Sequence, residues 1–200
     1  MLEILVRQLL DNSVLELTAV AFAIAYLLLA VREHIACWYM ALMSTAIYLV
    51  IFVDVRLYME AALQIFYIAM AVYGWYQWRF GGDRRGRPIS TWNAWQHLIA
   101  IAVIAASTAI STLALTAWTD AHWPLLDSFT TWSAVVTTFM VARKVLENWV
   151  YWFVIDTASI VLYLDRELYF TSMLFAIYLV IILFGFTTWL KRYRAQHAIA

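Results

Sequence analysis

Residues 31–78 read VREHIACWYMALMSTAIYLVIFVDVRLYMEAALQIFYIAMAVYGWYQW, and residues 142–189 read ARKVLENWVYWFVIDTASIVLYLDRELYFTSMLFAIYLVIILFGFTTW. The two stretches superpose without a gap at a single offset of 111 positions. Arg32 meets Arg143, Trp38 meets Trp149, Asp54 meets Asp165, and Leu57 with Tyr58 meets Leu168 with Tyr169. Further along, Leu63 meets Leu174, Tyr67 meets Tyr178, Gly74 meets Gly185 and Trp78 meets Trp189, while Glu16 falls opposite Asp127. Within each copy the apolar residues run on continuously instead of alternating, over lengths close to the ~20 residues a helix needs to cross a bilayer. Strands are disfavoured on the same pattern, because their unpaired edges cannot sit in lipid. The copies therefore predict membrane-spanning helices.

Worked outward, the pattern gives seven spans: residues 14–31, 36–53, 57–78, 97–117, 125–142, 149–164 and 168–189. Composition agrees, since 66% of the 200 residues are hydrophobic and 13% charged, where a soluble domain is about half apolar and a quarter charged. Two prolines and five glycines exclude a low-complexity chain, and zero net charge leaves no basic footprint for nucleic acid. Cys37 is the single cysteine, and four scattered histidines offer no metal-ligand spacing, so neither disulfide, metal nor cofactor is expected. Residues 1–12, with Glu3, Arg7 and Asp11, lack the basic start and small-residue cleavage site of a signal peptide and are expected to stay on the chain.

An offset of four helices keeps both copies pointing the same way, so helices 1 to 3 and 5 to 7 form a parallel repeat joined by helix 4. The expected fold is an all-α membrane protein of seven transmembrane helices in a three-plus-one-plus-three arrangement. Its single transmembrane domain divides into a first repeat (14–78), a linker (79–96), a connecting helix (97–117), a second repeat (125–189) and a tail (190–200). Arg7, Arg56 and Arg166 lie on one side. The other side holds Arg32, Arg79, Arg84, Arg85, Arg87, Arg143, Lys144, Lys191, Arg192 and Arg194, so the N-terminus is predicted outside and the C-terminus in the cytoplasm. The linker arginines read as topology signals and not as a ligand site.

Parallel repeats about an axis along the membrane normal build transporters whose substrate sits near the midplane between the halves. Asp156, near the middle of helix 6, is the most costly residue to bury and needs compensation. Trp149, Trp152, Asp156 and Ser159 fall on one helical stripe, and indoles ending in an acid suit a flat, positively charged ligand. Trp149 is equally at home in an interfacial aromatic belt, and Asp156 could instead be satisfied by neighbouring hydroxyls. Helix 3 offers Gln64 and Tyr67 at mid-depth, Tyr178 is the mate of Tyr67, and Ser44 with Thr45 occupies the middle of helix 2. Such amides and hydroxyls serve either a ligand or bonds within and between helices. No HExxH, GxSxG or GxxxxGK[ST] motif is present and no lysine lies within a span, which argues against an enzyme, a nucleotide-driven pump and a retinal protein.

The stretches QIFYIAMAVYGWYQW (64–78), RKVLENWVYWFVID (143–156) and the GFTTW ending at Trp189 resemble the PnuC family of bacterial vitamin transporters. YGWYxW at 73–78 and RKxxENWxxW at 143–152 carry most of the likeness, which covers nearly the whole chain. It implies a seven-helix, three-plus-one-plus-three fold in the bacterial inner membrane, and facilitated diffusion of nicotinamide riboside or, in relatives, thiamine or riboflavin. It further implies trapping by a separate cytoplasmic vitamin kinase, and it is compatible with a homo-oligomer. Matched position by position, it supports Gln64, Trp149 and Trp152 as cavity residues. Ser44, Ala71 and Asp156 depart from the asparagines that nicotinamide riboside carriers commonly show. An acid at Asp156 suits the ring cation of nicotinamide riboside or of thiamine, whereas uncharged riboflavin gains nothing from it. Sugar facilitators of the SWEET type hinge on prolines within helices, while Pro88 and Pro124 are expected in loops. The non-transport alternative is a receptor or subunit that binds the same ligand without passing it.

Overall fold

A computed structural model describes residues 14–54, 58–82, 86–119, 123–165 and 168–198. Among them the chain is all-helical: α1 (Val14–Val31), α2 (Cys37–Asp54), α3 (Tyr58–Phe80), α4 (Ala94–Trp118), α5 (Pro124–Ala142), α6 (Asn148–Asp165) and α7 (Tyr169–His197). Five of the seven, α1, α2, α4, α5 and α7 from Thr171 on, are long and apolar enough to cross a membrane. The other two carry Gln64 and Gln77 in α3, and Asn148, Asp156 and Asp165 in α6. Glu3, Arg7, Asp11, Arg56, Leu57, Arg84, Arg85 and Arg166 lie outside the described residues.

Local chemistry sets the helix ends. Asn93 and Gln96 close a reciprocal capping box at the start of α4, each side chain accepting from the other's backbone N–H. Pro124, expected in a loop, instead opens α5, where its missing N–H costs nothing. After α1 the chain turns with the Glu33 N–H donating to the Ala30 carbonyl and the His34 N–H to the Leu29 carbonyl. After α5 the Lys144 N–H donates to Val141 and the Val145 N–H to Met140, the same bonds moved by 111 positions. Both turns are Schellman closures, which need a residue in the left-handed region. Glu33 (φ 54°) and Lys144 (φ 50°) supply it where glycine is usual, at roughly 1–2 kcal/mol each.

α2 packs on α1 and α3, α6 packs on α5 and α7, and the two sets meet through α1 with α7 and α3 with α5; α4 packs on α5. The core lies at this meeting. The Trp78 indole N–H donates to the Val141 carbonyl at 3.1 Å, and its mate Trp189 donates to Ala30, the mate of Val141, at 3.0 Å. Trp38 stands edge-on to Trp78 with centroids 5.4 Å apart and planes at 87°; Trp149 stands to Trp189 at 5.4 Å and 86°. Gly74 and Gly185 make room for these rings, since a Cβ there would collide with Trp38 and Trp149 respectively.

Two segments differ from expectation. Residues 190–200, expected as a tail, continue α7 as far as His197. The Arg192 guanidinium donates to the Arg32 carbonyl and the Glu33 carboxylate, and Leu190 and Tyr193 pack against the core. The linker is not a free connection either, because residues 86–93 dock as a strap on the α5–α6 turn. The Ser90 N–H donates to the Lys144 carbonyl at 3.0 Å, and the Leu146 N–H donates to the Ser90 carbonyl at 2.8 Å. Ile89 is buried in the core cluster. The Arg87 side chain donates to the Arg143 carbonyl and to Gln77 Oε1, each at 2.7 Å. Burial, and then the neighbouring Arg143 charge, lower its pKa from the usual guanidinium value.

Candidate functional site

On α6 the residues at intervals of three and four separate into two faces. Trp149, Asp156 and Ser159 are buried and Trp152 is half-buried against the core cluster, while Val150, Phe153, Val154, Val161 and Leu164 are exposed. The stripe read from sequence thus faces the interior and the aliphatic side faces outward. Asp156 is 3% exposed, and among the described residues no hydrogen bond or ion pair reaches its carboxylate. Holding an ionised carboxylate at mid-depth in a helix costs roughly 2.5–3.5 kcal/mol on insertion scales.

A series of phenols leads away from it. Tyr178 on α7 lies within electrostatic reach of Asp156 and of Tyr48 on α2. Tyr48 in turn neighbours Glu16 and Tyr163, and Tyr67 on α3 neighbours Tyr163 and Tyr26 on α1. The ring of Phe175 joins Tyr163 and Tyr178, at 5.2 Å and 5.6 Å between centroids. Phenols from α1, α2, α3, α6 and α7 thus neighbour one another in a series, of which Tyr178 reaches the carboxylate. Flat π-faces beside a negative group suit an aromatic cation.

The other sequence-predicted residues fall into distinct places. Gln64 is half-buried and makes no hydrogen bond among the described residues. Ser44 Oγ donates to the Ala19 carbonyl at 2.9 Å and so ties α2 to α1. Thr45 Oγ1 donates to the carbonyl of Ala41, the preceding turn, at 2.9 Å. Trp149 belongs to the tryptophan core, as its mate Trp38 does, and both indole N–H groups lack a partner among the described residues. The structure brings Asp156 and Tyr178 together, while the hydroxyls of Ser44 and Thr45 are occupied by backbone. An apolar cavity of about 240 Å³ between α2 and α3, lined by Trp38, Tyr39, Leu42, Ala71, Val72 and Trp75, touches none of the eight predicted residues.

Tyr26, Tyr48 and Tyr163 were not singled out from sequence. Two of them were within reach: Tyr163 continues the Asp156 stripe seven residues on, and Tyr48 is the repeat mate of Ser159.

Long apolar helices that turn aliphatic side chains outward and gather a carboxylate, an amide and phenols inside make this chain a multi-pass membrane transporter. Comparison with known proteins gives the same class. The profile of the nicotinamide mononucleotide transporter family matches residues 13–191, and the chain belongs to that family, one of transporters and not of enzymes. The nicotinamide riboside transporter PnuC of Escherichia coli K12 is 25% identical over 194 residues, covering 84% of this chain and 81% of that protein. The riboflavin/roseoflavin transporter RibM of Streptomyces davaonensis is 29% identical over 139 residues, covering 68% and 65%. The crystal structure of the vitamin B3 transporter PnuC superposes with a TM-score of 0.75 at 20% identity, over 97% of this chain and 90% of that one. It shows the shared fold.

Proposed function

We propose that the chain carries nicotinamide riboside, a cationic aromatic vitamin, across the bacterial inner membrane by facilitated diffusion. The observation that carries this reading is Asp156, buried on an inward stripe with Trp152 and without a hydrogen-bond or ion-pair partner among the described residues. A pyridinium ring stacks on aromatic faces and satisfies the carboxylate at once. Trp152, Gln64, Tyr67 and Tyr178 complete the site, Trp149 backs it, and Ser44 and Thr45 hold its helices.

The seven helices all span, with the N-terminus outside and the C-terminus in the cytoplasm, as three plus one plus three. The hydrogen bonds, tryptophan pairs and turns that recur at 111 residues support a parallel repeat whose halves rock about the central site. A cytoplasmic vitamin kinase traps the imported riboside by phosphorylation, and the scaffold is compatible with a homo-oligomer.

A second reading, riboflavin, is favoured by the likeness to RibM. Riboflavin has no charge for Asp156 to meet, and thiamine shares the ring cation but not the pyridinium. Titration of purified protein with the three vitamins is expected to rank nicotinamide riboside first, with counterflow of the labelled riboside in proteoliposomes. Tightest binding by riboflavin would reverse the assignment. Binding without counterflow would leave a receptor.

A further inference from the structure

The apolar groove of about 240 Å³ between α2 and α3 belongs to no part of the site above. Trp38 and Ala71 form its buried floor, and Tyr39 and Val72 stand exposed at its edge. Across the rim the Trp75 indole N–H donates to the Tyr39 hydroxyl at 3.0 Å, while the Tyr39 O–H itself donates to no group among the described residues. Ala71, Trp75 and Arg79 follow one another at four-residue spacing on one face of α3, so Arg79 stands about 6 Å beyond the rim along the axis. It is exposed and makes no hydrogen bond or ion pair among the described residues. Exposed Tyr76 and Phe80 flank it, with the Phe80 ring edge-on to Trp75 at 5.8 Å. Tyr39, Trp75 and Tyr76 gathered at one end of two helices mark the headgroup depth of a bilayer.

The repeat supplies an internal control. Leu42 and Ala71, which leave the space, have the larger Phe153 and Ile182 as mates. Tyr39, Trp75 and Arg79 have Val150, Phe186 and Leu190, which offer neither a donor nor a charge. The combination of space, donor and cation is thus particular to the first half.

We propose that this groove binds one anionic phospholipid from the leaflet at the strap end, with an acyl chain against Trp38, Leu42 and Ala71 and the phosphate held by Arg79 and Tyr39. The inference takes α3 as a spanning helix, as proposed above, and does not depend on which vitamin is carried. A cleft open to lipid is filled by a chain, because its bare walls forgo the dispersion contacts that a chain supplies. Hydrocarbon alone gives no selectivity, since bilayer tails are as apolar as the groove. Selection comes from the rim: a guanidinium takes a phosphate through paired N–H···O bonds, the phenol donates to a further oxygen, and basic residues beside spanning helices recognise anionic headgroups.

Native mass spectrometry of the full chain, released from detergent with phosphatidylglycerol or phosphatidylcholine added, tests the site. One phosphatidylglycerol per chain is expected to stay bound, at least about fivefold tighter than phosphatidylcholine. Arg79→Gln is expected to erase that preference. Leu42→Phe, which places the second half's residue in the groove, is expected to lose the bound lipid altogether. Thermal unfolding of the lipid-free variants checks folding, and both should still bind nicotinamide riboside as wild type does. Equal retention of the two lipids by wild type, or phosphatidylglycerol binding unchanged in both variants, would overturn the proposal. So would a lipid-free oligomer that Leu42→Phe dissociates, which would assign the groove to a second copy of the chain. A wild type that retains phosphatidylglycerol selectively but binds no nicotinamide riboside would support the lipid site and overturn the substrate reading alone.

Discussion

Asp156 and Thr45 occupy the same position of the repeat, and the difference between them makes the two halves chemically unequal. Thr45 closes its hydroxyl on the preceding turn, while the Asp156 carboxylate has no hydrogen bond or ion pair among the described residues. On the proposed reading a cation binds toward the second half, where Trp152 stands one turn away on the same face. Replacing Trp152 by alanine removes a ring face worth ~0.5–2 kcal/mol to a cation, so nicotinamide riboside should bind roughly 2- to 30-fold more weakly. Gln64→Ala should weaken binding by a similar factor through a lost hydrogen bond. Titration of detergent-purified protein, with size-exclusion profiles to check folding, measures both; unchanged affinity in both variants would move the site elsewhere. Glycines matter at two other positions. Gly74→Ala and Gly185→Ala push a methyl group into Trp38 and Trp149, and overpacking of this kind costs ~1–3 kcal/mol, to be seen as earlier thermal unfolding.

At the scale of elements, hydropathy alone ends α7 at Trp189 and leaves residues 79–96 as a linker. Polar and basic residues after Trp189 end an apolar run, so hydropathy stops there, yet the backbone has no reason to stop. Lys191, Arg192 and Arg194 favour the C-terminal end of a helix, and Arg192 finds Glu33 and the Arg32 carbonyl. The strap shows no periodicity at all, because its order comes from pairing with the α5–α6 turn. Arg87→Ala removes two bonds from a charged donor, each worth ~1.5–3 kcal/mol. The Ser90 and Leu146 amides, which close that pairing, should then exchange with deuterium faster while the amides of α6 do not. Uniform acceleration along α6 would mean that the strap holds the helix as well as the turn.

Across the whole molecule, Glu33 at the end of α1 forms ion pairs with Lys144 and Arg192 of the second half. Glu33 and Lys144 are repeat mates, both held with positive φ, and they bind each other at 2.9 Å with about a tenth of each side chain exposed. Lys144 also lies 4.7 Å from the Trp78 ring centroid, and Arg192 takes the second Glu33 oxygen at 2.9 Å. Backbone strain at two mated positions is thus accepted where their side chains meet across the interface. Glu33→Gln leaves Lys144 buried without its charge partner and should cost ~3–5 kcal/mol, while Glu33→Gln combined with Lys144→Met should cost clearly less. A double-mutant cycle on thermal stability measures the coupling, and additive losses would show that the pair does not join the halves energetically.

Helix positions, the repeat and the inward stripe of α6 were legible in the sequence because each depends on short-range regularity: apolar runs, an offset, a period of 3.6. The class of protein followed from the same features, together with motif likeness. Which polar groups stay free did not. Ser44 and Thr45 look as suitable for a ligand as Tyr178 until helix rotation and approach assign their hydroxyls to the Ala19 and Ala41 carbonyls. The series of neighbours Tyr26, Tyr67, Tyr163, Tyr48 and Tyr178 draws on five helices, and the Glu33–Lys144 pair spans 111 residues. Those relations exist only once the helices pack, since sequence fixes what each face offers and packing alone fixes which faces meet.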